Sequence, residues 1–190
     1  MIPSLVEIRA ALETAFRLVR GDAAAIDSFD LTFEGFIKSF FAAVLAAPFY
    51  IVLLSDSHDP ASLTVSLPVL VAAEGLGYVV GWLAFPVIAA LLTRFLGLSS
   101  RYVQLIVAAN WVAALLIALF AAVLLVGWVL PAPAASALVL SVTIGALAVQ
   151  WFVIRIGLDC GNGVAAAFLV IDVLVSTIID LALDRLFLGS

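Results

Sequence analysis

The stretch LVAAEGLGYVVGWLAFP, residues 70–86, decides how this chain must be read. Apart from Glu74 it holds only apolar, aromatic, glycine and proline residues. It belongs to a chain of 190 residues that is 66% hydrophobic and 11% charged, against about 25% charged in ordinary soluble domains. A soluble fold of this length still exposes roughly a third of its chain and has no polar surface to cover it here. Lipid must be the solvent for most of the chain. Several apolar runs reach the ~20 residues that cross a bilayer.

Working outward from that stretch gives five spans, at about 36–54, 63–93, 103–128, 136–156 and 164–183. Span one contains Pro48, and span two contains Pro68 and Pro86. At 1.5 Å per residue span two is about 45 Å long, so tilt or a kink at Pro86 is expected. No internal repeat is visible, and an inverted-repeat architecture gains no support. The predicted fold is an all-α integral membrane protein. A five-helix transmembrane bundle (31–190) follows an amphipathic N-terminal helix and connector (1–30).

The N-terminal segment PSLVEIRAALETAFRLVR carries Leu5, Ile8, Leu12, Phe16 and Val19 at helical spacing. Arg9, Glu13, Arg17 and Arg20 form a second stripe beside the first. That order suits a helix lying in the headgroup zone with snorkelling arginines; the other reading is an amphipathic helix packed on protein. Pro3 fits its first turn and Gly21 its stop. The segment lacks the continuous apolar core of a secretory signal, and it has Ile2 where a myristoylation signal needs glycine. The acidic connector DAAAIDSFDLTFEG leads into span one, where Glu34 and Lys38 stand in helix-pairing order.

Basic residues orient the chain. With a cytoplasmic N-terminus, the inner segments hold Arg9, Arg17, Arg20, Lys38, Arg94, Arg101 and Arg155, and the outer ones only Arg185. The expected protein is multi-pass in the cytoplasmic (inner) membrane, with its C-terminus outside. Seven arginines against one lysine in an alanine-rich chain point, by association, to a GC-rich bacterium.

Glu74 shares a helix face with Gly77, Tyr78, Gly81 and Phe85, and Ala73, Gly77 and Gly81 make a small-residue row suited to close helix packing. Leu76, Val79 and Leu83 suit lipid. A charge at the bilayer centre costs roughly 2.5–3.5 kcal/mol or more, so Glu74 belongs to a protein-facing seam. It serves there as a helix bolt or as a proton- or cation-coupling group. Asp172 is the second intramembrane acid. Folding the hairpin at Cys160 brings Gln150 and Trp151 level with it, Arg155 within reach, Ser176 one turn away on its own face and Asn110 to similar depth. An Asp172–Gln150–Asn110–Arg155 cluster is expected, and with it a loss of stability in Asp172→Asn. Glu74 lies about 28 Å up span two, too far from Asp172 for a catalytic dyad; Ser141 and Thr143 fall in the outer half.

The remaining features exclude more than they assert. His58, in SDSHDPA, reads as a loop residue, and one cysteine excludes an intrachain disulfide and a Cys-based metal set. Asp180 and Asp184 lack a third ligand. No strand precedes the glycines of GLDCGNG, so no dinucleotide loop forms. Cys160 is a formal candidate for palmitoylation. Trp128 suits the interfacial belt, and Trp82 and Trp111 suit packing. No cofactor or metal is implied, no nucleophile–base set marks an enzyme, and no basic patch suggests nucleic acid.

The segment LLTRFLGLSSRYVQLIVAANW, following a proline-bearing span two, resembles the inner loop and third span of the Yip1-type membrane proteins. Arg94, Gly97, Ser99, Tyr102 and the Asn110–Trp111 pair are the matching positions; the doubled glycine with lysine of that loop is absent. The resemblance covers about residues 35–185 and implies a non-enzymatic membrane organiser or adaptor. Its partners would be the bilayer with other membrane proteins or a second copy. The alternative is a small transporter or channel component using Glu74 and Asp172.

Overall fold

Ser4 starts the first helix. Its hydroxyl accepts from the Glu7 N–H at 3.3 Å and the Glu7 carboxylate accepts from the Ser4 N–H at 2.7 Å, a reciprocal cap that satisfies two orphan donors. Helix α1 (Leu5–Val19) follows. It stops at Gly21, whose φ of +86° is open to glycine and strained for other residues. Pro3 therefore precedes the cap, one step outside the expected first turn. The structure, a computed structural model, describes residues 1–57 and 66–188. His58 and the start of the expected second span lie outside the described residues.

Asp22 caps a 3-10 turn (Ala23–Ser28) and Thr32 caps α2 (Phe33–Ser39). Helix α3 (Phe41–Ser57) continues the same span after a break at Phe40, so span one begins three residues earlier than expected and in two pieces. Helix α4 (Leu67–Phe95) takes Pro68 into its first turn and runs through Pro86 without interruption. A 3-10 turn (Ser99–Arg101) leads to α5 (Tyr102–Gly127). Helix α6 (Ala132–Leu158) turns through Asp159–Gly161 into α7 (Asn162–Leu183), which ends in a π-type turn, Asp184–Leu188. Spans four and five are thus longer than their apolar cores suggested. Among the described residues there is no strand, and five helices are long and apolar enough to cross a membrane. The chain is a multi-pass membrane protein.

Helix α5 is the hub. Leu105, Ile106, Val107, Ala108, Trp111 and Val112 are buried on its full circumference, because α1, α2, α3 and α6 all pack on it. Gly157 makes the α5–α6 approach possible, since a Cβ there would meet the Leu105 Cα at 3.2 Å. Helix α4 pairs instead with α7 and touches α5 much less.

α1 lies against α5 and α6, so one face of it packs on protein. Its inner face is Ala15, Leu18 and Thr14, flanked by Ile8, Ala11, Leu12 and Val19. The expected single stripe therefore divides: Leu5 and Phe16 remain exposed beside Arg9, Arg17 and Arg20. The shift has a simple cause. Ala11 and Ala15 are small, so the helix seats more closely there than on Leu5 and Phe16. Arg20 sits over the Phe16 ring at 5.8 Å.

Polar ties gather the N-terminal segment, the α4–α5 connection and the α6–α7 turn at one end of the bundle. Gln104 Nε2 donates to Asp27 at 3.3 Å, Arg101 pairs with Asp159 at 3.3 Å, and Lys38 pairs with Glu7 at 2.6 Å and Glu34 at 2.7 Å. The Glu34–Lys38 pair follows from its spacing; the Glu7 partner does not. Arg17 holds Asp22 at 2.7 Å and pulls its carboxyl below the usual range.

Lys38, and after it Ser4, holds the Glu7 carboxyl down to about 2 from an ordinary value of 4.5. A carboxylate lowered by folding adds stability above its unfolded value and loses it as pH falls through the folded one. The latch is therefore complete at neutral pH and weakens between about 4.5 and 2. Lys38→Met should move the Glu7 titration midpoint upward in carboxyl-carbon NMR of the micelle-bound protein; an unmoved midpoint contradicts the assignment. A Cβ at Gly35 would overlap the Asp30 carbonyl and stand 2.5 Å from its Cγ. Gly35→Ala should accordingly lower stability by about 1–3 kcal/mol in detergent unfolding, while Gly145→Ala, with open space around it, should not.

Candidate functional site

An apolar helix exposes its few polar side chains to one of two fates in lipid: a partner inside the bundle or a water-filled recess. Both occur here. Between α3, α4, α5, α6 and α7 lies a cavity of about 410 Å³. It exists because α4, paired with α7, stands away from the α5 hub, and small residues face the gap. Gly77, Gly81, Ala109 and Ala113 all line it. Its volume falls within the ~300–1,000 Å³ range of small-molecule sites.

The Glu74 face of α4 is a wall of this cavity: Gly77, Tyr78, Gly81 and Phe85 line it, while Leu76, Val79 and Leu83 are turned outward. Ala73 is buried, and a Cβ on Gly77 would meet Leu183 of α7 at 3.2 Å. Gly81 has open space where a Cβ would stand. The small-residue row is therefore a contact seam at Ala73 and Gly77 and an opening at Gly81, because α4 leaves the bundle axis toward the cavity. Glu74 accepts a hydrogen bond from the Tyr50 hydroxyl of α3 at 3.1 Å. The Tyr78 hydroxyl donates to the Ala43 carbonyl of the same helix, and the Tyr50 and Tyr78 rings lie 4.6 Å apart. Two phenols thus brace α4 against α3 across a gap that their backbones do not close.

Asn110, Gln150, Asp172 and Ser176 also line the cavity. Arg155, the fourth member of the expected cluster, does not. Its guanidinium lies over the Trp151 ring at 5.5 Å, and Trp151 Nε1 donates to the Asn162 carbonyl at 3.4 Å. Both side chains are held at the α6–α7 turn by the ring stacking, away from Asp172. Asn110 donates to the Ser39 hydroxyl at 2.9 Å, which in turn donates to the Phe36 carbonyl at 2.7 Å. Ser39 is wholly buried, so this chain pins α2 to α5. Among the described residues, Asp172 meets neither a hydrogen-bond donor nor a charge. Ser141 and Thr143 are exposed and bond their own helix carbonyls; they take no part.

Asp180 lines the cavity as well. It stands two turns beyond Asp172 on α7. Nothing about its spacing from Asp184 assigned it there, and Ser39 was equally silent. For Tyr50 a signal existed: a phenol in an aliphatic span needs a partner, and Glu74 is the acid that spans one and two can bring to it. No grouping of His, Cys, Asp and Glu able to hold a metal occurs among the described residues. Cys160 is half-buried in the α6–α7 turn, where burial, and then Asp159, push its thiol up and so away from the reactive thiolate. Trp111 is buried and lines a small pocket with Ala10 and Ala11 of α1, Trp82 borders the cavity and Trp128 is exposed at the far end of α5.

No family model matches the chain, and neither a curated protein nor a solved structure does.

The partners assign stability and recess to different residues. Ser39→Ala should cost about 1 kcal/mol, the order of an interhelical hydrogen bond in a membrane. Asp172→Asn, at a carboxyl group that no described residue bonds, should leave the detergent unfolding midpoint unchanged or raise it. This reverses the sign expected for a bonded cluster, and a lowered midpoint would restore that cluster.

Proposed function

We propose that the protein is a non-enzymatic small-solute binder of the transporter or channel type, working through the cavity between α4 and α5. One observation carries this reading: Asp172, with no hydrogen-bond partner among the described residues, stands with Gln150, Asn110 and Ser176 on one recess inside a bundle otherwise clad in apolar side chains. Unsatisfied polar groups are expensive at membrane depth and mark ion or substrate pathways. A structural bolt would be satisfied by the protein itself, as Asn110 is by Ser39.

The membrane is taken as a bacterial cytoplasmic membrane, with the N-terminus inside and the C-terminus outside. The gathering of Arg9, Arg17, Arg20, Arg94, Arg101, Arg155 and Lys38 at one end supports that orientation. On this orientation the cavity rises from the level of Asn110 toward the outer end, past Ile117 and Asp180, about 10–12 Å along the helices.

A second reading, a membrane organiser or adaptor for other membrane proteins or lipids, draws on α1. That helix leaves Leu5, Val6 and Phe16 exposed beside Arg9 and Arg20, an arrangement suited to the headgroup boundary. The Yip1-type resemblance of residues 91–111 agrees with it. The organiser reading has no use for a polar recess, and the cavity weighs the balance toward the solute reading.

Water access separates the two. In a Cys160→Ser background, Ser176→Cys should react with a membrane-impermeant methanethiosulfonate applied from outside, and Ile178→Cys, on the outward face of α7, should not. Equal inertness of both thiols would end the solute reading.

A further inference from the structure

We infer that the cavity takes a small neutral polyol, recognised through its hydroxyl groups; this rests on the solute-binding reading and names its ligand class. The polar groups of the inner lining come from three helices: Asp172 and Ser176 from α7, Gln150 from α6 and Asn110 from α5. Among the described residues, no hydrogen-bonding group meets the side chain of Asp172, Gln150 or Ser176. Nor are these groups sealed in. Among the described residues, Arg155 Nε is the one buried side-chain nitrogen or oxygen left without a partner, so the free atoms of the other three stay open to a visitor. Ser176 makes the contrast plainest. Thr93, Ser141, Thr143 and Thr177 each turn the hydroxyl back to a carbonyl of their own helix, the usual outlet for a hydroxyl on a helix. Ser176, on the cavity wall, does not.

The inventory of free groups selects the ligand. Asp172 supplies acceptor oxygens, the Gln150 amide supplies an acceptor and two donors, and the Ser176 hydroxyl supplies both kinds. Asn110 gives an N–H to Ser39 and keeps its carbonyl oxygen. An anion can accept from Gln150 but cannot donate to Asp172. A cation can answer Asp172 but leaves the Gln150 N–H groups unmatched. An apolar solute would leave every one of these groups unpaired, which a site made of amides and hydroxyls strongly disfavours. A hydroxyl both donates and accepts, and so can answer each of them. One hydroxyl cannot reach three helices, whereas several on a short carbon chain can. Asp172 and Ser176 already stand one turn apart on the same face of α7. Trp82 and Phe85, on the same lining, offer apolar surface to the carbon skeleton.

The test compares two five-carbon probes: xylitol, with a hydroxyl on every carbon, and pentane-1,5-diol, with hydroxyls only at its ends. Each is titrated calorimetrically into the intact protein in detergent micelles, and the signal of empty micelles is subtracted. Xylitol should bind saturably and more tightly than the diol by about tenfold, the order of one or two further buried hydrogen bonds. Gln150→Leu and Ser176→Ala should each remove most of that preference, whereas Thr177→Val, at a hydroxyl already bonded to its own helix, should keep it. Both cavity variants should retain the wild-type unfolding midpoint, and Ser176→Ala, the smaller change, decides if Gln150→Leu fails to fold. Equal binding of the two probes, or a xylitol preference untouched in the cavity variants, overturns the polyol inference and leaves the solute reading standing. No binding of either probe, the result for a recess that holds water alone, overturns the inference as well; the outside reactivity of Ser176→Cys then shows whether the solute reading falls with it.

Discussion

Lipid offers no hydrogen bonds, and that deficiency sorts the polar side chains in this bundle, Arg155 Nε, buried without a hydrogen-bond partner among the described residues, excepted. Thr93 bonds its own helix carbonyl, Ser39 and Asn110 bond each other, and Tyr78 reaches the Ala43 carbonyl. Each of these is answered within reach of its own backbone or an adjacent helix. Among the described residues, Asp172 is given no such partner. The contrast lies within a single fold and a single solvent. It therefore separates groups that hold helices together from a group that faces a recess.

The recess follows from an asymmetry of packing. Helix α5 is wrapped on most sides, and its contact with α6 is drawn in by Gly157. With no hydrophobic drive between helices in lipid, association depends on close packing and interhelical hydrogen bonds. α4 finds both with α7 and α3: a small-residue seam at Ala73 and Gly77, and the Tyr50 and Tyr78 braces. The braces are long. A phenol spans a distance that an alanine seam would close, so bonding through tyrosine hydroxyls fixes α4 while keeping it at arm's length from α5. Glu74 is the acceptor of one brace. Its role in the fold and the existence of the cavity are thus one fact.

Much of this was legible in the residues. Composition and run length alone place five helices in lipid, and periodicity puts Glu74, Gly77, Tyr78, Gly81 and Phe85 on one face. The common level of Asn110, Gln150 and Asp172 follows from counting along a hairpin. What was not legible depended on side-chain reach and helix separation, which spacing does not encode. Arg155 was within range of Asp172 by depth but was taken by the Trp151 ring. Gly81 read as a packing residue and proved to border open space, because a glycine row shows that backbones can approach and not that they do. Phase within α1 was misplaced by about one residue column, since hydrophobicity ranked Leu5 and Phe16 above the alanines that seat the helix.

The α7 row shows how one helix can address two walls. Asp172, Ser176 and Asp180 stand at successive four-residue steps. Each such step advances about 400°, so the row turns by roughly 40° per step and its two acids diverge by about 80°. A straight stripe would place both carboxyl groups over the same neighbour and set like charges against one surface. The drifting row distributes them instead: Asp172 shares its level of the cavity with Asn110 and Gln150, and Asp180 lines it two turns further along α7. The two carboxyl groups are thereby set about 12 Å apart in depth along the recess.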